Sequence, residues 1–298
     1  MTLRISDQSQ LTNRIMYLQT AQSEMDKVQQ QLSTGKRINH ASDDPQGAAQ
    51  ALGYRQNIAF EAQMRRNIDS GVAFMNASEA ALSSTTDALQ RARELAVQGA
   101  NGTNSQQGRD AMATEVDQLL QELVQIGNSN FNGAYIFAGN KSNAPAFNTT
   151  NNTGGSLGTV TYAGDTGQVL RQVSQQTTAA VNVPGSTAFG NAFQDLVTLR
   201  DNLRNNPGLV NGSIAALDGD LNTVLAARSD IGSRTNMFQD VRARSVQADT
   251  NLQSLKSGVE EIDVSQTIVE LTARSNQLQA ALGAIGKTIN LSLLNFIQ

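Results

Sequence analysis

Near the C-terminal end, the sequence matches a relaxed phosphate-binding loop, with Ala281 in place of the first glycine and then Gly286, Lys287 and Thr288. Such a loop surrounds phosphates with backbone N–H groups, and it requires a strand before it and a helix after it. Here the neighbouring leucines and isoleucines keep helical spacing instead. We therefore interpret the match as a coincidence, and the sequence predicts no cofactor.

Three other groups of residues are of types used in acid–base chemistry or metal binding. His40 is the only histidine, and no converging set of three or four ligands accompanies it. Asp43 and Asp44 precede Pro45, and neighbouring side chains point in different directions, so helix capping explains them better than catalysis. The pair Glu260–Glu261 has the same weakness. The sequence predicts no catalytic residue, no metal site and no enzymatic activity.

Composition excludes further classes of protein. The chain has no cysteine, which excludes disulfides, thiol nucleophiles and thiolate metal sites. Its net charge is -4, so it lacks the basic excess that nucleic-acid binding requires. No segment has the apolar length of a membrane span, and the first residues lack the apolar core of a secretory signal. We expect no nucleic-acid or membrane partner, and any export to proceed without a cleaved signal peptide.

Long helices must position whatever functional residues the chain has. Near both ends, apolar residues recur at heptad spacing, with Gln22, Gln29 and Ser275 between them in the same seams. This spacing predicts two terminal helices with coiled-coil character. Val264 begins the second seam. We identify the following apolar seam positions as subunit-packing residues: Leu11, Ile15, Leu18, Met25, Leu32, Ile268, Leu271, Leu278, Leu282, Ile285 and Ile289.

The terminal helices bury too little apolar surface to fold alone. Five seam side chains of the first helix would contribute about 8–15 kcal/mol. Ordering its backbone of about 30 residues costs on the order of 30–60 kcal/mol before hydrogen bonds offset part of this. We therefore expect the two ends to pair with each other and to become ordered only against neighbouring subunits.

Between the terminal helices, the pattern predicts more helix. Asp44 and Pro45 are typical of a helix start, and this helix should continue to about Val97. A second helix is predicted at Ala111–Ile126. Helix returns by Phe193 and should continue to the C-terminal end, with one break around residues 205–212.

The central segment, about residues 131–190, is rich in glycine, threonine, asparagine and valine and has no helical periodicity. Strand-like runs occur at Gly158–Tyr162 and Gln168–Val173, with a third near Ala180–Val183. This composition predicts a small β-rich insertion.

The predicted fold is mainly α with a small β-rich insertion, arranged as an elongated rod of long antiparallel helices with coiled-coil-like terminal helices. We expect a terminal helical domain of residues 1–43 with 264–298. A helical-bundle middle domain should comprise residues 44–140 with 191–263, and a β-rich outer domain residues 141–190.

Both ends of the sequence resemble flagellins and flagellar hook-filament junction proteins. Ser33–Asn39 and Ala41–Pro45 are similar to their N-terminal signature, and Leu89–Thr103 to the helix and turn that follow it. Gly133–Asn140 resembles the junction-protein segment that leads into the outer domain. Leu278–Leu282 and Leu291–Ile297 also resemble the C-terminal sequences of junction proteins, whereas flagellins usually end in a Leu-Leu-Arg type sequence.

The resemblance implies a structural subunit that joins the flagellar hook to the flagellin filament. It implies polymerisation through both terminal helices and a place in the extracellular flagellum after type III export. Its implied partners are other copies of the chain, hook-associated protein 1, flagellin, and a cytoplasmic export chaperone at the C-terminal region. Three alternatives stay open: a flagellin filament subunit, a nucleotide-binding protein, and a secreted coiled-coil adhesin.

Overall fold

A computed structural model of the chain describes residues 2–151 and 156–297, with side chains placed at residues 9, 12–151 and 156–286. The chain is mainly α with a small β-rich insertion, as the sequence predicted. A 3-10 turn, Pro207–Leu209, separates two of the helices. The helices are α1 (Thr2–Thr34), α2 (Pro45–Gly99), α3 (Gln106–Gly127), α4 (Gly185–Phe189), α5 (Ala192–Asn205), α6 (Val210–Glu260) and α7 (Val264–Ile297).

The first residues of α2 confirm the predicted cap. Asp44 Oδ1 accepts a hydrogen bond from the backbone N–H of Gly47 at 2.8 Å, and Pro45 is the first helical residue. The first N–H groups of a helix have no partner within it, so the carboxylate satisfies one of them. α3 begins earlier than predicted, because Ser105 Oγ accepts a hydrogen bond from the N–H of Gly108 at 3.1 Å and caps the helix.

The described strands form three separate antiparallel pairs rather than one sheet. β4 and β5 lie at the two predicted strand-like runs, whereas β6 overlaps the third run only at Ala180. The pairs are β1 (Asn130–Phe131) with β2 (Ala134–Tyr135), β3 (Phe147–Asn151) with β4 (Leu157–Tyr162), and β5 (Leu170–Gln172) with β6 (Thr178–Ala180).

The hairpin of β1 and β2 was not predicted. Its turn consists of Asn132 and Gly133, which have φ values of 52° and 82°. Two successive residues with positive φ form the turn type that suits the twist of a two-residue hairpin, and Asn-Gly is its preferred sequence. The Asn132–Gly133 dipeptide could therefore have predicted this hairpin from the sequence.

The connection between α6 and α7 is a correction to the sequence analysis. We expected uninterrupted helix from about residue 212 to the C-terminal end, but the helix stops at Glu260 and a new one starts at Val264. Asp263 Oδ1 accepts hydrogen bonds from the N–H groups of Ser265 at 2.9 Å and Gln266 at 3.1 Å. The expectation was wrong because this carboxylate caps a second helix.

Aromatic side chains attach the strands to the helices. The ring centroid of Phe147, on β3, lies 4.5 Å from that of Phe193 on α5 and 5.3 Å from that of Phe189 on α4. Gly127 ends α3 against the same ring, where an added Cβ would approach Phe147 to 2.8 Å. This close approach requires glycine, and it brings α3, α4, α5 and β3 into one apolar core.

A fully buried arginine crosses this core. Arg200, on α5, has an exposed fraction of 1%. Its guanidinium donates hydrogen bonds to Asp117 on α3 at 2.8 Å, to Asp201 at 2.8 Å, and to the backbone carbonyl of Leu157 on β4. A buried charge is tolerated only when it is paired and hydrogen-bonded, so these contacts fix α3, α5 and β4 together.

The chain divides into two compact units. Unit 1 comprises Met1–Phe60 and Ala248–Gln298, and unit 2 comprises Glu61–Gln247. The large apolar core belongs to unit 2. Within the described ranges, no helix is both long and apolar enough to cross a membrane.

Candidate subunit-packing surface

In unit 1, α1 packs along α7, as the paired heptad patterns predicted. The contact has a narrow buried centre. Among the described side chains of these two helices, only Ala21, Val28 and Thr267 are buried, with exposed fractions of 8%, 5% and 7%. Arg274 on α7 also donates a hydrogen bond to Glu24 on α1. The pair therefore buries few apolar side chains of its own.

The predicted seam residues fall into two groups. Those of the first group are half-buried: Leu18, Met25, Leu32, Leu271, Leu278 and Ile285. Those of the second group, with side chains between 45% and 54% exposed, are Ile15, Val264, Ile268 and Leu282. The side chains of Leu11 and Ile289 lie outside the described residues. The α1–α7 pair thus covers one part of the seam and leaves another part exposed to solvent.

Three exposed apolar residues beside the seam were missed. Met16 and Tyr17 follow Ile15 on α1, and their exposed fractions are 58% and 76%. Val269 follows Ile268 on α7 and is 70% exposed. These residues widen the apolar face of each helix beyond the heptad seam, and consecutive apolar residues were the signal for this.

A hollow of about 280 Å³ lies between α1 and α7. Its walls are mainly apolar, and they are formed by Arg14, Tyr17, Leu18, Ala281, Ala284 and Ile285. The four residues that match a phosphate-binding loop, Ala281 and Gly286 to Thr288, lie within α7. Their helical backbone excludes the loop conformation that phosphate binding requires.

The α1–α2 and α6–α7 connections are hydrogen-bonded to each other. Gly35 has φ 70°, which ends α1, and its carbonyl accepts a hydrogen bond from the N–H of Ile262 at 3.2 Å. The N–H of Arg37 donates to the carbonyl of Glu260 at 2.7 Å. The guanidinium of Arg37 also contacts the carbonyl of Val259 at 2.9 Å and Asp44 Oδ2 at 3.0 Å. These hydrogen bonds join the C-terminal end of α1 to the N-terminal end of α7, and we call these two helix ends the bases of α1 and α7.

Glu260 lies at the centre of this junction, with an exposed fraction of 3%. Its Oε1 accepts Lys36 Nζ at 2.8 Å and a guanidinium nitrogen of Arg55, on α2, at 2.5 Å. Burial acts to raise the pKa of Glu260, but the hydrogen bonds from Lys36 and Arg55 outweigh it, and the pKa is lowered. We call Lys36, Arg37, Arg55 and Glu260 the connector cluster.

The predicted helix-capping role is confirmed for Asp44 but not for Asp43, which orders the turn before α2 instead. Asp43 Oδ2 accepts hydrogen bonds from the N–H groups of His40 at 2.9 Å and Asn39 at 3.1 Å. The bond from His40 and the ammonium of Lys27 lower the pKa of Asp43. These hydrogen bonds order the turn at residues 39–43, and the imidazole of His40 is exposed there.

A groove of about 440 Å³ in unit 1 is lined by charges of both signs, including Glu24, Lys27, Arg37, Asp263 and Arg274. Mixed charges of this kind do not select an anion or a cation. In the described part of the chain, no group of three or more histidine, aspartate or glutamate side chains is placed to hold a metal ion.

Comparison with known proteins gives the family. Residues 5–142 match the model of the bacterial flagellin N-terminal helical region. The chain is 32% identical over 267 residues to the flagellar filament 30.7 kDa core protein of Treponema maltophilum, covering 88% of each chain. It is 25% identical over 320 residues to flagellar hook-associated protein 3 of Escherichia coli, covering 98% of each.

A solved structure shares the fold. The crystal structure of the flagellar junction protein FlgL from Legionella pneumophila aligns with a TM-score of 0.57 at 16% identity, over 72% of this chain and 100% of that one. The matches define a class of helical flagellar subunits. The chain belongs to the flagellin superfamily, whose members are structural, non-enzymatic proteins of the bacterial flagellum.

Proposed function

We propose that this chain joins the flagellar hook to the flagellin filament, and that it assembles through α1 and α7. The observation that carries the proposal is the distribution of exposed apolar side chains in unit 1. Ile15, Tyr17, Ile268, Val269 and Leu282 are each at least 45% exposed on the two terminal helices. An uncovered apolar surface of this kind marks a protein–protein contact.

Support for the junction position comes from two comparisons and the sequence. Hook-associated protein 3 of Escherichia coli aligns with the chain from end to end. The fold is shared with a flagellar junction protein. The tail Leu291–Ile297 resembles junction proteins rather than flagellins.

The proposal includes the placement of the parts. Residues 1–43 and 264–298 form the inner tube, residues 44–140 and 191–263 the surrounding helical layer, and residues 141–190 the outer domain. The partners are other copies of the chain, hook-associated protein 1 on one side and flagellin on the other. A cytoplasmic chaperone binds the C-terminal region before export, and the final location is the extracellular flagellum.

A filament subunit is the second candidate. The observation in its favour is the 32% identity to the Treponema maltophilum core protein over 88% of the chain. This candidate uses the same exposed surface of α1 and α7, so only the position in the flagellum differs.

Deletion of the gene separates the two candidates. For a junction subunit, we expect hooks without filaments and flagellin monomers in the medium. For a filament subunit, flagellin secretion should fall instead, and the purified chain should extend filament seeds into long polymers. Deleted cells that keep normal filaments and swim would refute both.

A further inference from the structure

The terminal helices bury few side chains along their length, and polar contacts join the C-terminal end of α1 to the N-terminal end of α7. In α1 and α7, three described side chains are buried. The connector cluster, in contrast, joins both bases by two backbone hydrogen bonds, from Arg37 to Glu260 and from Ile262 to Gly35. Glu260 pairs there with Lys36 and with Arg55 of α2. The orientation of α1 and α7 relative to the first turns of α2 and the last turns of α6, all within unit 1, therefore depends on a few polar contacts.

Because α1 is long, a small change of its orientation at the base moves its far end by a large distance. α1 has 33 residues, and at 1.5 Å per residue it is about 50 Å long. A change of about 10° at the base would move its far end by about 9 Å, by simple trigonometry on that length. Apolar side chains touch only within about 4.5 Å, so such a change would separate the seam from a neighbouring subunit.

We propose that Glu260 is a positioning residue for assembly: its contacts with Lys36 and Arg55 fix the bases of α1 and α7 in the orientation that neighbouring subunits require. This proposal rests on the proposed function, because it assumes assembly through α1 and α7. Glu260 lowers the ordering cost of assembly by holding the helices in place beforehand. A neutral side chain at this position would leave two cations facing a weaker acceptor.

Glu260→Gln tests the proposal in the full chain, because it preserves size and removes the charge. Hydrogen exchange of the amides of Arg37 and Ile262 reports directly on the connector hydrogen bonds. We expect exchange at both to accelerate about tenfold or more. Amides of the unit 2 core, such as those of Leu120 and Leu123, should exchange as in the unmodified chain, and the chain should be exported normally.

The second readout is complementation of the deletion strain. Glu260→Gln should reduce the number of filaments per cell at least severalfold, although the variant is present at normal levels. Lys36→Arg keeps a cation beside Glu260 and should restore filaments. Asp69→Asn is the matched control, because it removes an exposed ion pair with Arg242 in unit 2.

The outcomes are separable. Unchanged exchange at Arg37 and Ile262 overturns the proposal whatever the cells show, as do normal filaments with Glu260→Gln. Faster exchange throughout the unit 2 core would mean that Glu260 merely stabilises the fold. The proposed function fails on a different result, namely normal filaments in the deletion strain itself, and the positioning role would fail with it.

Discussion

Asp220 is a buried carboxyl group of unit 2. It lies on α6 in unit 2 with an exposed fraction of 5%, and Asp195 of α5 is its charged neighbour. Burial first, and then the negative charge of Asp195, raise the pKa of Asp220 from 3.8 to about 7. Two carboxylates that share a buried site do not both ionise readily, so the folded chain retains a proton that the unfolded chain releases in mild acid.

The stability of unit 2 should therefore depend on this proton. Because the folded pKa is raised, the favourable contribution is complete below pH 3.8 and is lost as the pH rises through about 7. Asp220→Asn removes the ionisation and should raise the free energy of unfolding by about 2 kcal/mol at pH 8, with little change at pH 4.5. Urea unfolding at the two pH values measures the difference.

The control for this substitution is Asp218→Asn. Asp218 lies two positions earlier on α6 but is 46% exposed and pairs with Arg93. We expect its loss to change unfolding by less than about 0.5 kcal/mol at either pH. An equal effect of Asp220→Asn at both pH values would contradict the expectation that folded Asp220 keeps its proton up to about pH 7.

At the scale of elements, the sequence predicted features that depend on neighbouring residues, but it did not predict contacts between residues far apart in the chain. The start of α2 follows from Asp44 and Pro45 alone, because a cap acts within one turn. The buried pairing of Arg200 with Asp117 joins residues 83 positions apart, and that of Arg55 with Glu260 joins residues 205 apart. No spacing rule connects such residues, so the sequence presented Glu260 only as half of a neighbouring acidic pair.

Predicted heptads located both terminal helices but not which seam residues would be covered. Leu18 and Ile15 share one seam, yet the first is half-buried and the second is 45% exposed. Periodicity identifies a face, whereas coverage depends on where the partner helix crosses that face. The packing of the exposed seam residues against neighbouring subunits stays a prediction.

The end of α1 provides a test at the element scale. Gly35 has φ 70° and open space around its Cβ position, so Gly35→Ala introduces backbone strain without a clash and should destabilise the connector by about 1 kcal/mol. Gly53 lies inside α2 and also has open space. Gly53→Ala should stabilise its helix by about 1 kcal/mol. Hydrogen exchange of the Arg37 amide measures the first effect, and exchange of the α2 amides around Gly53 measures the second. A stabilising effect of both substitutions would refute the left-handed cap.

At the scale of the molecule, the two units differ in how completely they bury their apolar side chains. Unit 2 has a closed apolar core, which includes Phe147 and the fully buried Leu120. Unit 1 presents apolar side chains on α1 and α7 to solvent. A chain of this kind gains its remaining hydrophobic stabilisation on association, so unit 2 should resist unfolding as a monomer, while α1 and α7 should gain further protection on assembly.

Val269 on α7 is the sharpest place to test this division, because it is 70% exposed and needs no partner in the monomer. Val269→Asp should change monomer unfolding by less than about 0.5 kcal/mol. In the assembled structure, the same carboxylate would lose water without a paired cation, at a cost of several kcal/mol in each subunit. We therefore expect complemented cells to export the variant and to lack filaments. Leu209→Asp, at a 62% exposed position of unit 2, should restore filaments. Filaments with both variants would place the assembly surface elsewhere, and a lowered monomer stability with Val269→Asp would show that Val269 already packs within the chain.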